Sequence, residues 1–306
     1  MNNESSNSNE ELEELFGKWI KKQKNDDNNT GIFSKDGYIN EAEYNKKENK
    51  ERILFILKEP HIYNEDNKPE QKKGSVIEDS QEGFYNCFFN KEMDDKEIYT
   101  IKNNIIIPVA DANPEEANPI KRFKLFDNNA KMKEKMARMA YYILHDGEIT
   151  SDYNELKSAL SKVAYMNINK MGGSDRTNGK ELDNYFYEYK DYIFKEIDLI
   201  NPSVIVVMTK GSHVFNEIKN KYNDKKIIEM VHTGIMPQYI KNDENEIAYF
   251  NKKYCKNYAD LMKNWDIGEN NIFNKTSGPF LRFHKSTLKY LIKFIYKYND
   301  LWPTKC

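Results

Sequence analysis

The chain has 306 residues, 39% of them hydrophobic and 31% charged, with a formal net charge of −2 and a pI near 6.3. Those values fit a globular chain of one large or two small domains, and 21 tyrosines with 16 phenylalanines exclude a largely disordered one. A charge balance this close to neutral excludes nucleic-acid binding by bulk charge, so any such role needs a local basic face.

Residues 1–10 are polar and expected to be disordered. From Glu11 to Lys24 the spacing predicts an amphipathic helix with Leu12, Leu15, Phe16 and Ile20 on one face. Residues 24–50, rich in Asn, Asp, Lys and Glu, read as loop, and a first buried strand follows at 52–57. Residues 62–128 hold an aromatic cluster, Gly83 to Phe89, and one apolar run, Ile105 to Val109. Met132, Met136, Met139, Ala140 and Ile143 then recur at helical spacing, which reads as core packing. A second strand is predicted at 162–167, followed by the loop Gly172-Gly173-Ser174-Asp175. A helix from about 180 to 200 buries Leu182, Tyr185, Phe186, Tyr189, Ile193 and Ile197, and Asn201-Pro202 ends it. A third strand at 204–208, a helix at about 212–222 and a fourth strand at 226–231 come next. Residues 236–280 form a long insertion, and Ser286 to Tyr298 reads as a last amphipathic helix.

Strand and helix alternate through the second half, so an α/β fold is expected, with a parallel sheet and helices on both faces. The organisation expected is an N-terminal extension at 1–50, partly disordered with one helix. A single domain then covers 51–306, with insertions at 62–128 and 236–280. Cys87, Cys255 and Cys306 are far apart and show no Cys-x-x-Cys or Cys/His spacing, so neither zinc nor an iron–sulfur cluster is expected. No run approaches the ~18 apolar residues of a membrane span. Met1-Asn2-Asn3-Glu4-Ser5 lacks the basic and apolar regions of a signal peptide. No membrane association and a cytoplasmic location are therefore expected.

Each predicted core strand breaks off into a polar cluster. Ile53 to Leu57 runs into Lys58-Glu59-Pro60-His61, and Val163 to Met166 into Asn167-Ile168-Asn169-Lys170. Val204 to Met208 runs into Thr209-Lys210-Gly211-Ser212-His213, and Ile227 to Val231 into His232-Thr233-Gly234. Ligands of open α/β sheets bind beyond the carboxyl ends of such strands. Glu59, next to a proline, is a candidate general base, and a solvated loop glutamate is the plainer reading. His232 can donate a hydrogen bond to charge on a leaving group, or can simply be satisfied by backbone at a strand end. The Asn167 amide can read a planar base edge, or can close the strand; Asn169 is its rival, because alternate strand residues face the same way. Lys210 to His213 opens a helix, where backbone N–H groups favour phosphate, while Ser212 alone reads equally as an N-cap. Arg282-Phe283-His284-Lys285-Ser286 is a second basic helix start, for phosphate contact or as a solvated turn.

Taken in order, these clusters resemble the uracil-DNA glycosylase superfamily over residues 50–61 and 160–298. The resemblance implies a three-layer α/β/α sandwich with a four-stranded, mainly parallel central sheet. It implies an enzyme that flips a damaged or modified nucleotide out of DNA and cleaves its N-glycosidic bond, with no metal or cofactor. Glu59 and His232 would then be catalytic, the first acting on water and sugar and the second on the leaving base. Asn167, Phe84 (with Phe88 close behind) and His61 would bind the base, Met236 would fill the gap left in the stack, and Ser212, Lys210 and Lys285 would hold DNA. Glu59 stands where the family has Asp or Asn, His61 where uracil enzymes have a thymine-blocking tyrosine, and Thr233-Gly234 where they have Pro-Ser. These departures point away from ordinary uracil repair and toward a larger or modified base, such as one in phage DNA. The competing expectations are a non-catalytic nucleotide- or nucleic-acid-binding module of the same fold, and a different α/β hydrolase. The latter lacks a Gly-x-Ser-x-Gly elbow. Glu59 and His232 are expected to face one cleft with Asn167 between them.

Overall fold

A computed structural model describes residues 8–25, 31–60, 76–79, 99–102, 105–108, 130–150, 153–171, 179–232, 245, 248–249, 252 and 279–301. The chain divides into two compact units. The first comprises residues 1–85, 140–150 and 154–233, and the second comprises 86–139, 151–153 and 234–306.

The first unit is built on a five-stranded sheet. Its strands are β2 (Gly37–Tyr38), β3 (Ile53–Leu57), β7 (Val163–Asn167), β8 (Val204–Val207) and β9 (Lys226–Glu229), in the order β2-β7-β3-β8-β9. Four of them are parallel, and β2 joins antiparallel at the edge, pairing Gly37 with Tyr165. The fold is therefore α/β, with one strand more than the four expected. The extra strand comes from residues 24–50, expected as loop. That segment contains β1 (Gly31–Ser34), β2 and a one-turn helix, α2 (Glu41–Tyr44). Asn40 caps α2 by accepting the N–H of Glu43 at 3.1 Å. β1 pairs in parallel with β4 (Val76–Asp79). Strands of four and two residues are too short to show hydrophobic alternation, which is why the sequence pattern misses them.

Helix α1 spans Ser8–Lys24, starting three residues before the expected Glu11. Glu10 and Glu11 lie in its first turn and Lys21, Lys22 and Lys24 in its last, the polarity that complements the helix dipole. Leu12, Leu15, Phe16, Trp19, Ile20 and Gln23 are buried along one stripe. That stripe joins one core with α5 (Gly179–Ile200), α6 (Val214–Lys221) and the sheet residues Leu54, Ile56, Ala164, Met166, Ile205 and Val207. The alternate residues Ile53, Phe55, Val163, Tyr165, Val204 and Val206 are buried too, so the strands are covered on both faces. α5 stops at Ile200, where Asn201 takes a left-handed φ of 48° before Pro202. α4 (Tyr153–Ser161) leads directly into β7.

The second unit contains the hairpin β5–β6 (Tyr99–Lys102 and Ile105–Pro108) and α7 (Pro279–Leu301), which begins seven residues before the expected Ser286. Tyr290, Leu291, Phe294, Ile295 and Tyr298 are its buried stripe, and Lys135 Nζ lies 4.9 Å from the Tyr290 ring. Lys135 belongs to α3 (Ala130–Leu144), in which Met136, Met139, Ala140 and Ile143 are buried as expected of a packing stripe.

Candidate functional site at the carboxyl edge of the sheet

Parallel pairing brings the four polar clusters to one edge. The ladder sets Leu57 opposite Asn167, Ile56 opposite Val207, and Val207 opposite Glu229. Backbone bonds carry this register past the strand ends. Asn169 N donates to Lys58 O at 2.9 Å, Met208 N to Ile56 O at 2.8 Å, and Met230 N to Val207 O at 2.8 Å. Asn169 and Glu59 follow directly on the β7 and β3 ladders, and Lys210 and His232 come three residues after the last paired residues of β8 and β9 at the same edge. β8 lies between β3 and β9, so the β8 exit stands between those that carry Glu59 and His232.

Glu59 is half-buried and accepts a hydrogen bond from Asn169 Nδ2 at 3.3 Å. The Asn169 Oδ1 accepts from Met171 N at 2.9 Å, so one amide ties the β7 exit to the carboxylate. Asn167, expected between the two catalytic candidates, is turned elsewhere. It is buried, and both its backbone N–H (2.6 Å) and its Nδ2 (3.3 Å) donate to Asp36 Oδ2. The reason is register: Asn167 sits opposite Leu57, inside the ladder, and the residue level with Glu59 is Asn169.

The β8 exit forms a tight turn. Thr209 O accepts from Ser212 N at 3.1 Å and from Ser212 Oγ at 2.8 Å. Gly211 has φ +97°, a region closed to most side chains, and its carbonyl would lie 2.6 Å from a Cβ placed on Gly179. Ser212 does not cap α6; the N-cap position is His213, which makes no side-chain cap bond. Asp183 of α5 supplies the cap instead, accepting from His213 N at 2.7 Å and lying 3.0 Å from His213 Nδ1. A carboxylate thus already occupies part of the expected phosphate site. Lys210 is exposed beside it, and Thr209 is fully buried, with Oγ1 unpartnered among the described residues.

Beneath the β7 exit lies a buried charge cluster that the sequence reading missed. Lys170 Nζ is hydrogen-bonded to Asp36 Oδ1 and, at 2.9 Å, to Glu196 Oε1, and all three side chains are fully buried. Burial drives the Glu196 carboxyl well above the usual 4.5; Lys170 opposes this and the neighbouring Asp36 charge reinforces it. One signal was available: Glu196 falls on the apolar stripe of α5 between Ile193 and Ile197. Nothing in sequence singles out Asp36.

His232 is half-buried and engaged with neighbouring groups. His61, Phe84, Phe88 and Met236 lie outside the described residues, and so does the Gly172–Asp175 loop. Lys285 lies on α7, in the second unit, with its side chain outside the description. Among the described residues no group of His, Cys, Asp and Glu could hold a metal ion, and no helix is long and apolar enough to cross a membrane.

The fold and edge define an α/β protein with a mostly parallel sheet and a set of polar side chains at its carboxyl ends. Compared with models of protein families, with curated proteins and with solved structures, the chain matches none.

Proposed function

We propose that the chain is a DNA glycosylase-like enzyme, a divergent relative of the uracil-DNA glycosylases, that hydrolyses the N-glycosidic bond of a flipped, modified base. The observation that carries this reading is the parallel register, which brings the exits of β7, β3, β8 and β9, where Asn169, Glu59, Lys210 and His232 lie, to one edge of the sheet. Its four parallel strands are in the order second, first, third, fourth. Right-handed crossovers in that order send the first connection to one face and the next two to the other. The point where the order reverses, between β3 and β8, is where a ligand would sit.

In this reading Glu59 takes a proton from water as the water oxygen bonds to the sugar carbon. The bond from that carbon to the base nitrogen breaks, and its electron pair leaves with the base. His232 donates a hydrogen bond to the negative charge on the departing base. Asn169 holds the Glu59 carboxylate in line. Lys210, exposed between them, faces DNA phosphate. Asn167, tied to Asp36, serves the scaffold. No metal or cofactor is required by this chemistry, and DNA is the partner.

The experiment is base release. Protein is incubated with uracil-containing DNA and with DNA carrying bulky modified pyrimidines, beside the Glu59→Gln variant. Alkali-sensitive abasic sites that form only with the unaltered protein support the reading. The engagement of Asn167 by Asp36 favours the second reading, a non-catalytic nucleotide- or nucleic-acid-binding module. Binding without release from any substrate selects it.

A further inference from the structure

The cluster of Asp36, Lys170 and Glu196 joins three separate elements. Asp36 comes from the turn between β1 and β2, Lys170 from the β7 exit and Glu196 from α5. Lys170 Nζ bonds Asp36 Oδ1, donates to Glu196 Oε1 at 2.9 Å and lies 2.8 Å from Oε2. Tyr185 Oη on α5 accepts the Lys170 backbone N–H at 3.3 Å and a hydrogen bond from Gln23 of α1. α1 also sets the rings of Phe16 and Trp19 at 5.5 and 5.4 Å from Nζ. The groups facing Glu196 are therefore Lys170, Asp36 and the Tyr185 phenol.

One ammonium faces two carboxylates, and a second uncompensated charge is costly in a dry interior. A proton on one carboxyl removes that cost. Asp36 already accepts bonds from Lys170 and from two donors of Asn167. Glu196 Oε2 takes no aligned hydrogen bond among the described residues, although Nζ is close. The proton therefore belongs on Glu196.

We propose that Asp36, Lys170 and Glu196 form a proton-held clamp on the β7 exit, whose release on deprotonation loosens the segment that presents Asn169 to Glu59. The link is direct in the chain: Asp36 grips Asn167, Lys170 follows Asn169, and the clamp binds both ends of the segment. It acts as a regulator of the edge site and rests on the glycosylase reading only for the importance of Glu59. Burial first, then the Asp36 charge, raise the folded pKa of Glu196 above 4.5 against the pull of Lys170. Stability carried by the proton is thus complete below about pH 4.5 and is lost as pH rises through the folded value.

The test is hydrogen exchange on the full chain, corrected for the intrinsic pH dependence of exchange, and needs no activity. Protection of residues 163–171 is compared with that of 204–208 from about pH 4.5 upward, through the whole range in which the chain stays folded. Protection of the first segment is expected to fall about tenfold relative to the second, and Glu196→Gln, a neutral amide of the same shape, is expected to abolish the fall. A constant ratio in the unaltered protein overturns the clamp, as does an unchanged fall in the variant. If Glu196→Gln does not fold, the ratio in the unaltered protein decides alone. A clamp that fails leaves base release untouched as a question, and absent base release leaves the clamp standing.

Discussion

The amide of Asn169 donates to the carboxylate of Glu59 at 3.3 Å, joining the exits of two neighbouring parallel strands. This contact fixes which asparagine serves the site. It also predicts how the two residues divide the work. Glu59→Gln should lower base release by about 10²- to 10⁴-fold, the range for a lost general base. Asn169→Ala should lower it by less, about tenfold, because the carboxylate stays but loses a support worth roughly 1 kcal/mol. Single-turnover measurement of abasic sites separates the two. An Asn169→Ala variant as inactive as Glu59→Gln would give the amide a direct role in the chemistry.

Removing the lysine of the buried cluster should cost much more than removing a surface lysine. Lys170→Met leaves Asp36 and Glu196 side by side with no cation, and breaking a buried pair in this way costs about 3–5 kcal/mol. Lys18→Met, which breaks the solvent-screened pair with Glu14, should leave stability nearly unchanged. Urea unfolding of the two variants checks the contrast, with equal midpoints refuting it.

The approach of Gly179 to Gly211 reverses an ordinary expectation. Glycine to alanine within a helix usually stabilises, by about 0.5–1 kcal/mol. At Gly179 the added Cβ would lie 2.6 Å from the carbonyl oxygen of Gly211, a backbone atom that cannot move cheaply. Gly179→Ala should therefore destabilise by about 1–3 kcal/mol and disturb the β8 exit. Thermal unfolding gives the sign.

The N-terminal helix should be indispensable to the first unit. Trp19 is fully buried and touches the rings of Phe33, Tyr185, Tyr189 and Tyr192 at centroid distances of 5.4 to 6.4 Å. Trp19→Ala should cost about 3–5 kcal/mol. A chain beginning after Lys24 should lose cooperative unfolding, as calorimetry would report. A truncated chain with an intact transition would show α1 to be dispensable.

The linear pattern alone located β3, β7, β8 and β9, because unbroken apolar runs bounded by Asn, Gly, Pro and Lys leave few alternatives to buried parallel strands. It also located α1 and α5 through their periodic stripes, and it brought Glu59, Asn167 and Lys210 forward as residues at strand ends, with Asn169 as a rival to Asn167. Tertiary structure decided the rest. Register is a relation between strands, and it sets Asn169 beside Glu59 while Asn167, expected between Glu59 and His232, stays inside the ladder opposite Leu57. β1 and β2 were invisible for the same reason: four- and two-residue strands have too little pattern of their own and exist only by pairing with β4 and β7. Asp36 and Glu196 bear carboxyl side chains, which a sequence places on the surface by default. Only the meeting of the β1–β2 turn, the β7 exit and α5 around Lys170 makes their burial tolerable, because a buried charge is stable when its partner arrives from elsewhere in the fold.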